Sequence, residues 1–147
     1  MEKVLENFWK WLGITPYEYS LDISVNFSEK PEFYYPQYNE LLELAKSIVD
    51  SGTTDHEKIC DLLTIMAIDN ESESVLEYIQ HFSSIVQLNA IIDIGISHMQ
   101  KAARWQTAEL IFQKKVKNYM FYLENLKNDS DEYVRKRASN LLCKLQI

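Results

Sequence analysis

Residue types that carry catalytic or metal-binding chemistry are sparse in this 147-residue sequence. The histidines His56, His81 and His98 are widely separated, and neither an HExxH pattern nor a Cys–His spacing suited to zinc occurs. Cys60 and Cys143 are 83 positions apart, which fits neither a CxxC redox motif nor a disulfide framework. The three glycines are isolated, so the sequence contains no glycine-rich phosphate loop. We therefore expect no metal, no cofactor and no catalytic residue.

One carboxylate occupies an unusual position in the sequence. Asp93 lies between Ile92 and Ile94 in the most apolar segment, and a buried carboxylate either pairs with a cation or takes up a proton. Arg104 follows one predicted helix later. We therefore predict a structural ion pair between Asp93 and Arg104. The alternative is a functional carboxylate at a site that has Trp105 as its aromatic wall.

Apolar residues recur at intervals of three and four through most of the chain, which is typical of amphipathic helices. This pattern predicts an all-α fold of about eight short helices, in a single domain over residues 1–147. Residues 14–37 are the exception, because they hold all three prolines and show little helical periodicity. An irregular connection of this length is uncommon and often functional, but an arm packed along the helices would look the same.

The last part of the chain shows acidic turn residues followed by Val-Arg, an alanine and spaced leucines. The positions are Asp129, Asp131, Val134, Arg135, Ala138, Leu141 and Leu145. Residues 126–145 thereby resemble the second half of a HEAT repeat. Ala108 and Ile111 match Ala138 and Leu141 thirty positions upstream, which extends the resemblance toward the preceding helix.

This resemblance, clearest over residues 100–147, implies a short HEAT-like α-solenoid whose curved surface contacts another macromolecule. The structural alternative is an irregular helical bundle whose last helix matches by chance. Because some HEAT-like proteins are DNA glycosylases that use an aspartate and tryptophans, the resemblance also implies an enzymatic alternative, in which Asp93 would act beside Trp105.

Charge is distributed unevenly along the chain. Residues 1–98 contain 5 Lys/Arg and 17 Asp/Glu, a net charge of −12, whereas residues 99–147 contain 10 and 5, a net charge of +5. The overall charge of −7 argues against a general nucleic-acid binder. The acidic part favours encounter with a basic protein. The basic residues near the C-terminus are typical of solvated helix faces; they are Lys114, Lys115, Lys117, Arg135, Lys136 and Arg137.

The acidic part is also rich in tyrosine, since residues 17–38 hold seven of the 18 aromatic residues. Tyrosine is enriched where binding energy is concentrated, and neighbouring carboxylates suit lysines and arginines of a partner. The predicted partner-binding residues are Tyr17, Glu18, Tyr19, Asp22, Glu32, Tyr34, Tyr35, Tyr38 and Glu40. The alternative is that these rings fix an irregular segment onto the helices while the charges face water.

These patterns predict a non-enzymatic protein-binding module. The most specific hypothesis is an immunity or antitoxin protein that occludes the active site of a basic, nuclease-like toxin; this rests on physical likeness to such proteins and on no motif. A HEAT-like adaptor for a cellular protein is the alternative. We expect no nucleic-acid or membrane partner and a cytoplasmic location, because the cysteines are sparse and the apolar stretches are short. The number of subunits is not specified by the sequence.

Overall fold

The computed structural model describes residues 1–22 and 34–145, and over these residues it contains helices and no strand. The helices are α1 (Lys3–Leu12), α2 (Pro16–Ser20), α3 (Tyr38–Ser51), α4 (His56–Ile68), α5 (Ser74–Phe82), α6 (Ile85–Gly95), α7 (Lys101–Lys114), α8 (Tyr119–Leu126) and α9 (Glu132–Leu145). The all-α prediction is therefore confirmed for the described part of the chain.

Local sequence signals explain where the helices begin and end. Gly13 and Gly52 adopt left-handed φ angles of +82° and +69° after α1 and α3, a conformation that glycine takes at little steric cost. The carboxylate of Asp55 accepts the backbone N–H of Lys58 and caps α4. Pro16 opens α2, a short helix inside the segment that was predicted to be irregular, so that prediction is wrong over these five residues.

The helices pack in a regular order. Helix α4 packs against α7, and α7 packs against α9, so these three form a central row. Helix α6 contacts both α4 and α7, and α8 contacts both α7 and α9. Helices α3 and α5 pack on each other and against α4, and α5 also reaches α7, while α1 packs on α3. Side chains with no exposure fill the space between them, among them Phe8, Leu41, Leu62, Leu63, Ile91, Leu110, Ile111 and Leu123.

Small residues allow the central helices to approach closely. Ala108 of α7 and Ala138 of α9 have no exposed surface, and these two helices are in contact. At the end of α6, a Cβ atom added to Gly95 would collide with the side chain of Thr107 on α7. Helices α6 and α7 therefore cross at a distance that only a glycine permits at this position.

The predicted ion pair between Asp93 and Arg104 is wrong. The Arg104 guanidinium donates to Asp129 through Nε (2.9 Å) and Nη2 (3.2 Å), and through Nη1 to the carbonyl of His98 (2.7 Å). Asp93 is exposed and accepts the Tyr122 hydroxyl of α8 at 2.8 Å. The reason is helical geometry, because the buried face of α6 contains residues 88, 91, 92 and 95, and residue 93 lies outside it.

Candidate protein-binding surface

Two of the predicted partner-binding tyrosines anchor the N-terminal segment instead. Tyr35 is only 4% exposed and packs edge-on against Phe8, with ring centroids 5.3 Å apart. Tyr19 is half-buried and packs edge-on against Trp9 at 5.3 Å. Tyr35 is thus part of the core, and its assignment as a partner contact is corrected. The alternative, that these rings fix the segment onto the helices, applies to both residues.

Tyr38 has a structural role at the start of α3. It is half-buried, and its hydroxyl donates to the carboxylate of Asp69, which is 2% exposed. Asp69 also accepts the Ser72 hydroxyl, the Ser74 hydroxyl at 2.7 Å and the Val75 backbone N–H at 2.9 Å. Four donors therefore surround one buried carboxylate, and they connect the beginning of α3 to the beginning of α5.

The predicted carboxylates have different environments. Glu18 accepts the backbone N–H of Thr15 at 3.0 Å in a capping box, and this hydrogen bond lowers the pKa of Glu18. Asp22 forms an ion pair with Lys101 of α7. Glu40 is exposed on α3. Glu32 lies outside the described residues.

Tyr17 and Tyr34 are the two predicted tyrosines that face solvent, with 62% and 67% of their surface exposed. Tyr17 lies on α2, whose Pro16 carbonyl accepts a hydrogen bond from Gln100 just before α7, and Tyr34 lies just before α3. Together with Glu40, they are the predicted residues whose exposure suits a partner contact. The structure thus divides the predicted set into anchors, locally paired charges and exposed groups.

A narrow apolar slot lies between α3 and α5, and the sequence analysis did not predict it. The slot encloses about 50 Å³ and is lined by Leu42, Ala45, Lys46, Val49, Ser74, Val75 and Tyr78. Glu40, Glu43 and Asp50 form an exposed carboxylate stripe along α3. Glu43 and Asp50 lie near Tyr78 at the slot, whereas Glu40 lies on the other side of the helix, near Tyr35. An apolar slot with carboxylates at its rim fits the long alkyl stem and charged head of a lysine or arginine.

Tyr78 is the residue that organises this slot. Its hydroxyl donates to Oδ1 of Asp50 at 2.7 Å, and this hydrogen bond raises the pKa of Tyr78. The ammonium group of Lys46 lies 5.7 Å from the centroid of the Tyr78 ring, a cation–π distance. A cation of the chain itself therefore lies near the Tyr78 ring, whose hydroxyl is bound to the Asp50 carboxylate.

A second, wider groove of about 370 Å³ runs between α5 and α7. It is lined by Ser72, Glu73, Leu76, Glu77, Gln80, His81, Glu109, Gln113 and Arg137. Its Arg137 is already engaged, because Glu109 accepts its Nε at 3.1 Å and its guanidinium lies 4.3 Å from the Trp105 ring centroid. Glu73, just before α5, and Glu77 of α5 add further carboxylates to the face that carries those of α3. We call α3, α5 and these carboxylates the acidic face.

The arrangement of Asp93 and Trp105 bears on the enzymatic alternative. Asp93 accepts a hydrogen bond from Tyr122 of α8, whereas Trp105 is buried and lies beneath Arg137 and Tyr133 of α9. The two residues contact different helices, so the described structure does not present them as neighbours in one cleft. It gives no geometric support to an aspartate acting beside this tryptophan.

Other groups that often carry chemistry have structural partners. His98 accepts the Gln100 backbone N–H on Nδ1 at 3.0 Å, and burial lowers the pKa of His98 to about 4. Asp61 accepts the Glu2 backbone N–H at 3.1 Å near the start of α1, and burial raises the pKa of this carboxyl. Cys60 is a free thiol whose pKa is raised by burial. These environments disfavour the charged form of all three groups.

Within residues 1–22 and 34–145, no three His, Cys, Asp or Glu side chains are grouped so as to hold a metal ion. In the same ranges no helix combines the length and apolar character that crossing a bilayer requires.

The acidic face was only partly visible in the sequence. The stripe of Glu40, Glu43 and Asp50 follows from helical spacing, but the slot depends on the pairing of α3 with α5, which no local pattern specifies. Tyr78 lies outside the tyrosine-rich stretch and was missed for that reason. No protein-family model, curated protein or solved structure matches the chain, so the surface itself is the basis for assigning a function.

Proposed function

We propose that this chain is a non-enzymatic binding module that docks a basic protein on its acidic face. The observation that carries the proposal is the apolar slot beside Tyr78, with exposed carboxylates of α3 along one side and Glu77 of α5 beyond it. A partner lysine or arginine would place its alkyl stem against Val49 and Tyr78 and its charge near Glu43 or Asp50.

The most specific form of the proposal is an immunity or antitoxin protein. A nuclease-like toxin must carry a cationic groove for its nucleic acid, and an acidic protein surface can occupy that groove in place of phosphates. The exposed Tyr34, just before α3, would add contact area. Under this proposal the chain inhibits by covering the active site, without chemistry of its own.

A HEAT-like adaptor is a second candidate, and one observation favours it. The pairs α6/α7 and α8/α9 pack in equivalent ways, because the second helix of each pair joins the central row and the first contacts two members of that row. Repetition of a helix pair in this manner is the packing expected of an α-solenoid. Under this alternative the acidic face takes a basic segment of a cellular protein.

The experiment compares two charge-matched double variants. Glu43→Gln/Glu77→Gln removes two charges from the acidic face, and Glu124→Gln/Glu132→Gln removes two exposed charges from α8 and α9. Binding is measured by calorimetry against the nuclease-like proteins encoded beside the gene, together with inhibition of their nuclease activity. We expect affinity to fall at least about tenfold in the first variant and to change less than about twofold in the second.

Three further readouts separate the candidates. Tyr78→Ala, which opens the slot, should weaken binding as much as the first double variant. Affinity should also fall with added salt, because exposed charges are screened. Binding of a nuclease without inhibition supports the adaptor over the immunity protein. Equal losses in the two charge-matched variants would contradict the assignment of the acidic face.

A further inference from the structure

A different surface lies where the α5–α6 and α7–α8 connections meet. Lys114, the last residue of α7, donates through Nζ to the carbonyl of Gln80 in the last turn of α5, at 3.0 Å. This bond holds the C-terminal ends of α5 and α7 together. The two connections, with the turns that flank them, therefore occupy the same end of the molecule, which we call the lysine end.

Large apolar side chains are exposed at the α5–α6 connection. Phe82 is 62% exposed, Ile85 78% and Val86 69%, and they lie within five consecutive positions. In the first turn of α8, Phe121 is 68% exposed. A connection that keeps this much apolar surface in water gains free energy when an apolar phase covers it.

Lysines surround the same end. Lys115 and Lys117 are exposed in the α7–α8 connection, next to Lys114. The ammonium group of Lys115 lies 3.9 Å from the Phe112 ring centroid, and that of Lys144 lies 5.8 Å from it. The last turn of α9 therefore contributes to the lysine end as well.

The three chain segments that form this end contain no acidic residue. Neither Asp nor Glu occurs in residues 78–92, 110–123 or 133–145. Carboxylates are present nearby, at the end of α3, where Asp50 accepts the Tyr78 hydroxyl, and in the α3–α4 connection, where Asp55 caps α4. Because charges are screened beyond about 8–10 Å, a contacting surface responds to these local lysines more than to the net charge of the chain.

We propose that the lysine end docks on the surface of an anionic lipid bilayer. Ile85 and Val86 project from the first turn of α6 and would enter the boundary between headgroups and acyl chains, while the lysines remain among anionic headgroups. Nucleic acid is a poorer occupant, because Ile85 and Val86, the most exposed apolar side chains described above, are aliphatic and do not stack on bases. The sequence analysis expected no membrane partner because no segment can span a bilayer, but a peripheral contact requires no such segment.

The test uses vesicles of phosphatidylcholine, alone or with about 30% phosphatidylserine, in a co-sedimentation assay. One variant, Ile85→Ser/Val86→Ser, removes exposed apolar groups. Another, Lys115→Asn/Lys117→Gln, removes charge, and asparagine tolerates the left-handed φ of +49° at residue 115. The matched controls are Leu21→Ser/Met99→Ser, which are also exposed, and Lys127→Gln/Lys136→Gln.

We expect the protein to bind the anionic vesicles, with weaker binding at high salt and on phosphatidylcholine alone. Removal of the two lysines should weaken binding about 25-fold, because each lysine near the surface contributes roughly fivefold. The loss of two apolar side chains should weaken it at least about tenfold. Both control variants and Glu43→Gln/Glu77→Gln should bind as the parent does, which separates this proposal from the acidic face.

Four results would overturn the proposal. The first is the absence of binding at about 1 mM accessible lipid, a concentration well above the dissociation constant of a single lipid anchor. The second is an equal loss in the control variants. The third is a loss in the lysine variant alone, which would indicate adhesion by charge without insertion. The fourth is a smaller molar mass of Ile85→Ser/Val86→Ser in solution, which would indicate that a second copy covers this end.

Discussion

The two parts of the chain hold their buried charges with different partners. In residues 1–98, the carboxylate of Asp69 is held by three hydroxyl groups and a backbone N–H. In the second part, the guanidinium groups of Arg104 and Arg137 are held by Asp129 and Glu109, and Arg137 also lies over an aromatic ring. The first part therefore buries an anion among neutral donors, whereas the second half-buries its arginines against anions.

This difference explains why the surface has two characters. Because neutral donors hold Asp69, the acidic part uses none of its few lysines there, and carboxylates such as Glu40 and Glu43 remain exposed. In the basic part, Asp129 and Glu109 pair with the arginines, while lysines such as Lys115 and Lys117 stay exposed. The chemistry of the cation explains why arginines and not lysines are withdrawn from solvent here. A guanidinium forms several hydrogen bonds in a fixed geometry, whereas an ammonium group is more strongly hydrated. Net charge alone would not have revealed this division.

Among the substitutions that test this comparison, Asp69→Ala is expected to have the largest effect on stability. This change removes the shared acceptor of four hydrogen bonds, each worth about 1 kcal/mol, so we expect the free energy of unfolding to fall by about 4 kcal/mol in urea denaturation. Tyr38→Phe removes one of the four bonds and should lower it by about 1 kcal/mol.

The neighbouring Glu71 provides the control, because it is exposed in the same connection and Glu71→Ala should change stability by less than about 0.5 kcal/mol. A loss below about 1 kcal/mol in Asp69→Ala would show that neutral donors do not hold the first part together.

Helix periodicity predicted the all-α fold, since burial of one face depends on local spacing. It did not predict α2, because five residues are too few to show a period, although Thr15, Pro16 and Glu18 carry the start signal. The pairing of Asp93 with Arg104 failed for a related reason. Neighbours in sequence point to different sides of a helix, so the isoleucines beside Asp93 do not report its burial.

The candidate site was less predictable than the fold. Tyrosine content singled out residues 17–38, but composition does not distinguish Tyr17, which is 62% exposed, from Tyr35, which is 4% exposed. That distinction depends on which ring reaches Phe8 of α1, a tertiary contact. The slot beside Tyr78 requires α3 and α5 to be neighbours, and such pairing is set by the whole packing arrangement.

The second test concerns pH at the boundary of the two parts, where the carbonyl of His98 accepts a hydrogen bond from Arg104. Burial lowers the pKa of His98 from 6.5 to about 4, so the unfolded chain binds the proton more tightly than the folded protein. His98 therefore contributes its full stability above pH 6.5 and loses about 3 kcal/mol of it as the pH falls toward 4.

Urea denaturation of the parent and of His98→Gln at several pH values measures this contribution. Gln does not titrate, so the difference in unfolding free energy between the two proteins should change by about 3 kcal/mol over that interval. Thr64 donates its hydroxyl proton to the Cys60 carbonyl, so it accepts from the neutral His98 ring. A constant difference between the two proteins would mean that His98 is not held in its neutral form.

The smallest expected effect tests whether the second part depends on guanidinium geometry or on charge alone. Arg104→Lys keeps the charge but cannot form the two bonds to Asp129 together with those to the carbonyls of His98 and Met99. We expect a loss of about 2 kcal/mol in unfolding free energy, against less than about 1 kcal/mol for Arg135→Lys, which gives up a single carbonyl bond. If both variants had the unfolding free energy of the parent, a point charge would suffice at position 104. The contrast between half-buried arginines and exposed lysines would then have a cause other than guanidinium geometry.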